Sequence, residues 1–286
     1  MTRRERAKQR VDTARAGAAE RVETARAAAT ERVSDAKAAA SDRMAEAKAV
    51  ASDRMGAAAE RVGEAKTATE EFIARQKPRF RGVSHEWAFF VSLVAGAALV
   101  AAAPTPRATA AIAVYAGSLS ALLGVSALYH RIDWKRPEIR RWMRRLDHSM
   151  IFLLIAGTTT PFAVLVLHGA LGKALLIAVW AGAAAGIVVE LIWVDAPKWV
   201  TTIVYLSVGW IGLIGFPGIV VNAGLGAGAL IAAGGLLYTT GAIVYARQRP
   251  DPNPAVFGYH EIFHALVLAA AAAHFAAVAI YALPAS

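Results

Sequence analysis

This 286-residue chain holds seven histidines, and two of them, His260 and His264, stand four residues apart in the string YHEIFH. On an α-helix that spacing puts both imidazoles on one face, with Cβ atoms about 5–6 Å apart. Two neutral imidazoles so placed can chelate one divalent ion. His130, at the end of another apolar run, could add a third nitrogen and leave one position for water, which is the open geometry of catalytic zinc. Asp147 opens the next run, where its carboxylate could accept a hydrogen bond from that water or orient a ligand. Ser126 lies four residues before His130, on the same helix face, and its hydroxyl could polarise a carbonyl. An HxxxH pair alone is a weak signal, because histidines at a membrane edge can be simply solvated. Ionisable groups at membrane depth are costly, however, and are read first as functional. The reading is a zinc site of His130, His260 and His264, with Asp147 and Ser126 beside it.

The elements that must position these residues are apolar. The chain is 57% hydrophobic with mean hydropathy +0.43, above the 45–50% or so of a soluble domain. Apolar runs at about 87–103, 108–129, 146–167, 171–193, 199–221, 224–246 and 260–282 are each long enough to cross roughly 30 Å of hydrocarbon. Between them lie turn residues such as Pro104-Thr105-Pro106, Asp195-Ala196-Pro197 and the proline-rich stretch from Pro250 to Pro254. Seven such runs joined by short loops predict a multi-pass protein of the cell membrane, in a bacterium the plasma membrane. Lys and Arg number 13 in the segment before the first span and in alternate loops after it, against 2 on the opposite side. That imbalance predicts a cytoplasmic N-terminus. It also carries Ser126, His130, Asp147, His260 and His264 to the same cytoplasmic edge, although none of them entered the count.

Residues 1–78 are of another kind. Units such as RVDTARAGAAE (10–20), RVETARAAATE (21–31) and RVSDAKAAASD (32–42) repeat every 11 residues. A period of about 3.67 residues per turn matches a continuous helix almost without drift, so one long amphipathic rod is expected. Its stripe, Val11, Ala14, Ala18, Val22, Ala25, Ala29 and Val33, is mostly alanine and offers little area to bury. A solvated or self-associating helix and a helix on anionic lipid both fit. Nucleic acid does not, because acidic residues interleave throughout and Phe72 is the only aromatic before Phe80. Pro78 is expected to end the rod, residues 79–86 to form a basic juxtamembrane hinge, and 87–286 to form the membrane domain. The chain has no Cys, which excludes disulfides, Cys-bound zinc, iron–sulfur clusters and Cys nucleophiles. The charged first eighty residues or so also predict no cleaved signal peptide.

Other polar residues receive plainer readings. His148 is structural or interfacial, and His85 and His168 are interfacial by position. Glu190 is expected to snorkel or to pair with Lys198. His274 lies 14 residues past His260, about 21 Å along the axis and too far for the same metal, so an internal helix–helix hydrogen bond is expected. Trp87, Trp180, Trp193 and Trp199 suit membrane edges and packing.

Three strings, SALYHRIDW (126–134), RRLDHSMIFLLIAGTTTPF (144–162) and GYHEIFHALVLAAAAAHF (258–275), resemble the hemolysin III family. This is the bacterial branch of the progestin and adipoQ receptors, in a superfamily that includes alkaline ceramidases. The resemblance covers roughly residues 83–286 and leaves out the rod. It implies seven helices, an inside N-terminus and a zinc ion near the inner leaflet. By motif, Ser126 and His130 match the SxxxH pair, Asp147 the third-helix aspartate, and His260 and His264 the seventh-helix HxxxH. In the better-understood relatives the three histidines bind zinc, while the Asp and Ser support a water that cleaves a lipid amide. The bacterial branch takes its name from haemolytic, pore-forming activity. Two functions are therefore carried forward: a zinc-dependent hydrolase of lipid amide or ester bonds, and a pore or sensor with structural zinc.

Overall fold

The computed structural model describes residues 3–75 and 78–285, with side chains described at 13, 17–18, 20–63 and 78–285. The chain divides into two compact units, Met1–Phe72 and Ile73–Ser286.

The first unit is carried by one helix, α1 (Arg3–Arg75), of 73 residues, about 110 Å at 1.5 Å per residue. Every described side chain from Glu20 to Gly63 is exposed, including Val22, Val33, Met44 and Met55. One Val or Met per repeat leaves no apolar face to bury, so the helix rests on the propensity of Ala, Arg, Lys and Glu. Thr24 and Thr30 donate their hydroxyl protons to the carbonyls of Glu20 and Arg26, one turn earlier. The side chains of Val11 and Ala14 lie outside the described residues, as do Gln76 and Lys77.

The second unit is a helical bundle, with no strand among the described residues. Its helices are α2 (Val83–Ala101), α3 (Pro106–Arg131), α4 (Pro137–Val166), α5 (Gly169–Ile192), α6 (Lys198–Ile214), α7 (Phe216–Ala223), α8 (Leu225–Arg247) and α9 (Tyr259–Ala282). Six of these are each long and apolar enough to cross a membrane. The expected fifth span is α6 and α7 together, bent by 46° at the break between them. Counting that pair as one span makes seven. The bend has a local cause. Residues Trp210–Ile214 tighten into 3-10 turns, and Pro217, in the first turn of α7, has no N–H to continue a ladder across the break.

Helix ends overrun the apolar runs at the basic end of the bundle. α4 starts at Pro137, nine residues before the apolar run, so Arg140, Arg141, Arg144 and Arg145 form its first turns. Arg144 donates to the Val194 carbonyl and Arg141 pairs with Asp195, which fastens the loop after α5 to α4. α2 likewise begins at Val83, inside the segment read as hinge. Ile112, Tyr115, Phe152, Leu175 and Val179 are among the largest fully buried side chains. Outward-facing Phe90, Val91 and Val94 on α2 stay exposed, as lipid-facing side chains do.

Candidate metal centre

The last turns of α3, the first of α9 and the early turns of α4 and α2 meet at the basic end of the bundle. α3 contributes Ser126 and His130, both buried. α9 contributes His260 and His264 from its first two turns, with His264 buried and His260 partly so. One nitrogen from each of His130, His260 and His264 falls within 4.8 Å of the others. The Nε2 atoms of His130 and His260 are 3.2 Å apart. Tetrahedral zinc with Zn–N bonds of about 2.0–2.1 Å holds its nitrogens roughly 3.4 Å apart, so this pair already has chelating separation. Three imidazoles with nitrogens this close form a site able to hold a metal ion.

Asp147 on α4 joins this group. Its Oδ2 is 3.7 Å from His130 Nε2, and it lines the same cavity as Ser126.

Local bonds set the register of α9. The Glu261 carboxylate accepts from the Gly258 N–H at 2.8 Å, satisfying an open donor at the helix start. The same carboxylate, 4% exposed, pairs with Arg81. Asp251 accepts from the Tyr259 N–H at 2.8 Å, and Lys198 donates to the Tyr259 hydroxyl at 2.7 Å. The N–H groups of Arg79 and Phe80 bond the carbonyls of Ala255 and Val256, so the chain entering α2 is stitched to the loop entering α9. Gly82 makes this approach possible. Its φ of +79° is left-handed, and a Cβ there would lie 2.6 Å from the Cβ of His130, so no other residue fits without displacement.

One member of the cluster does not stand out in the sequence. His85, expected at the interface, is 2% exposed. Its Nδ1 is 2.9 Å from Ser126 Oγ, and its ring stacks on that of His264 at 3.8 Å and 3°. The available signal was topological: His85 opens the first span at the same end as the other three histidines. Glu190 also differs from expectation. It is buried, its Oε2 lies 3.1 Å from His148 Nδ1, and its Oε1 accepts from the Tyr205 hydroxyl at 3.0 Å. Lys198, the expected partner, turns instead to Tyr259. A carboxylate on the inward face of α5 is held by neighbours on α4 and α6 and has no path to snorkel. His148, expected to be structural or interfacial, is held by this contact with Glu190. His168 is exposed just before α5, and His274 makes the expected interhelical bond, to the Ile231 carbonyl of α8 at 3.2 Å.

A cavity of about 470 Å³ leads away from the cluster. Ser126, Asp147, His260 and His264 line one end, and Ile151, Leu154, Phe162 and Leu175 are among the apolar residues beyond. An apolar pocket with convergent polar groups at one end is the usual form of a small-molecule site.

A family described as Haemolysin-III related matches residues 73–275. Hemolysin-3 of Bacillus cereus is 35% identical over 180 residues, which span 63% of this chain and 78% of that protein. A hemolysin-3 homolog of Bacillus subtilis is 34% identical over 168 residues, 59% of this chain and 75% of its own. A monocyte to macrophage differentiation factor of Homo sapiens is 28% identical over 170 residues, 58% and 67%. The matched region takes in the helical bundle from α2 into α9, with every member of the histidine cluster inside it. The chain therefore belongs to the haemolysin III family of multi-pass membrane proteins.

Proposed function

We propose that this protein is a zinc-dependent membrane hydrolase that cleaves an amide or ester bond of a lipid. The observation that carries the reading is the meeting of three imidazoles, a carboxylate and a hydroxyl beside one end of a largely apolar cavity. A zinc ion held by His130, His260 and His264 would supply a Lewis acid that activates water at near-neutral pH. The acyl chain lies along Ile151, Leu154 and Phe162, which excludes water from everything but the reacting head. Asp147 takes the proton from the attacking water and returns it to the leaving group. Ser126 turns its hydroxyl proton to the carbonyl oxygen as negative charge builds there, while His85 Nδ1, 2.9 Å away, positions the serine oxygen. By the distribution of Lys and Arg this end faces the cytoplasm, so the lipid enters sideways from the inner leaflet. The exposed α1 is an arm suited to self-association or to anionic lipid.

A second reading has its own support. Asp147 Oδ2, 3.7 Å from His130 Nε2, is near enough to serve as a fourth ligand. The metal would then tie α3, α4 and α9 together in a pore or sensor, in keeping with the cytolysis that the names of the bacterial relatives denote. The deciding experiment is fatty-acid release from a lipid library in proteoliposomes, wild type beside Asp147→Ala. The hydrolase gives release that collapses in a variant still holding zinc. No release from any lipid, with zinc lost in the variant, makes the site a structural clasp.

A further inference from the structure

The cavity has a second polar region, far from the histidine cluster. His274 lies on α9, about 21 Å along the helix from His260. Its ring sits against Gly234 of α8, where a Cβ would come within 2.3 Å of the imidazole. Nε2 faces the Ile231 carbonyl at 3.2 Å. A carbonyl only accepts, so Nε2 carries the proton and Nδ1 is left as a bare acceptor. That Nδ1 is buried and has no partner. Beside it, with ring centroids 5.5 Å apart, stands Tyr238, whose hydroxyl is also buried and unpartnered. A second hydroxyl in the same condition belongs to Tyr115, 1% exposed, whose ring meets Phe275, the residue after His274, at 6.3 Å. Hydrocarbon offers such groups no hydrogen bonds, so each carries a desolvation cost until something in the protein or the cavity meets it. His274 and Tyr238 line the same cavity as Asp147, His260 and His264.

We infer that this deep end of the cavity is a hydroxyl-binding site, in which a hydroxyl donates to His274 Nδ1 and accepts from the Tyr238 O–H. The pairing is selective. A carboxylate would face the lone pair of Nδ1, and an ammonium would meet no counter-charge among the described residues lining this end. The hydroxyl comes either from water or from an alcohol on the tail of a lipid whose head sits at the histidine cluster. This site is independent of the hydrolase reading, because it concerns what the cavity holds and not what is cleaved.

The test uses the full-length protein in nanodiscs. Saturated fatty acids of increasing chain length, each with and without a terminal hydroxyl, compete with a fluorescent fatty acid. These probes carry no amide or ester, so loss of hydrolysis leaves the readout intact. The expected result is one chain length at which the hydroxyl tightens binding about tenfold. Tyr238→Phe, which removes a single oxygen, and His274→Leu should abolish that preference and leave the plain acids bound as before. If no length shows a preference, solid-state NMR on nitrogen-15 histidine decides between the sources. Polarisation passing from water to His274 Nδ1, and lost in Tyr238→Phe, identifies water as the hydroxyl held. A preference that survives Tyr238→Phe, or an Nδ1 with neither lipid preference nor a bond to water, overturns the inference.

Discussion

Gly82→Ala tests how tightly the chain entering α2 is built onto the candidate metal centre. At Gly82 φ is +79°, a conformation that costs an L-residue about 1–2 kcal/mol. The added methyl would stand 2.6 Å from His130 Cβ, whereas carbon atoms rest at about 3.5–4.0 Å. Roughly 1 Å of movement is therefore required of His130 or of the start of α2. Metal–ligand distances tolerate about 0.2 Å, and disturbing the support of a ligand lowers affinity about 10–100-fold. The expected outcome is a fall in zinc affinity of that size, with about 2–3 kcal/mol of lost stability. Competition against a chromophoric chelator and thermal unfolding, both in detergent, measure the two effects. Gly82→Asn separates them: asparagine tolerates the left-handed backbone but still carries the Cβ, so stability should partly return while metal affinity stays low. Gly235→Ala, with nothing within 4 Å of the added carbon, serves as the control and should gain about 0.5–1 kcal/mol. Zinc affinity within twofold of wild type in Gly82→Ala would refute the contact as a determinant of the site.

Three further outcomes follow from the geometry. His260→Ala combined with His264→Ala removes two of the three converging nitrogens, and elemental analysis should fall from one zinc per chain to none; equal zinc in both proteins removes the site. Glu190→Ala strips the acceptor from His148 Nδ1 and the Tyr205 hydroxyl and should cost about 2–4 kcal/mol, read by thermal unfolding, with Glu190→Gln losing less. Deleting residues 2–76 should leave a folded, zinc-loaded membrane domain, since the described side chains of α1 from Glu20 to Gly63 bury nothing; loss of expression or of metal would show that α1 supports the core.

Periodicity and residue type carried most of the architecture. The 11-residue repeat is visible without any structure, because a helix held by intrinsic propensity depends only on its own residues. The membrane spans were legible because lipid imposes one rule on every residue that crosses it. Their ends were less so. Arg-rich turns such as those of α4 are helical beyond the hydrocarbon, and hydropathy does not register them. The break between α6 and α7 was hidden in an apolar run whose glycines and Pro217 read as an ordinary span.

In the site, residue type and loop charge were enough to bring Ser126, His130, Asp147, His260 and His264 to one end, since spacing on a helix and positive-inside bias are properties of the chain itself. Only the tertiary structure decided their neighbours. His85 became a partner of Ser126 and His264 because α2 packs with Gly82 against His130. Glu190 turned inward to His148 and Tyr205 because the rotation of α5 is set by its packing against α4 and α6. Contacts between helices depend on how each is rotated and shifted against the others. That is fixed by packing across the whole bundle, which no single stretch of sequence records.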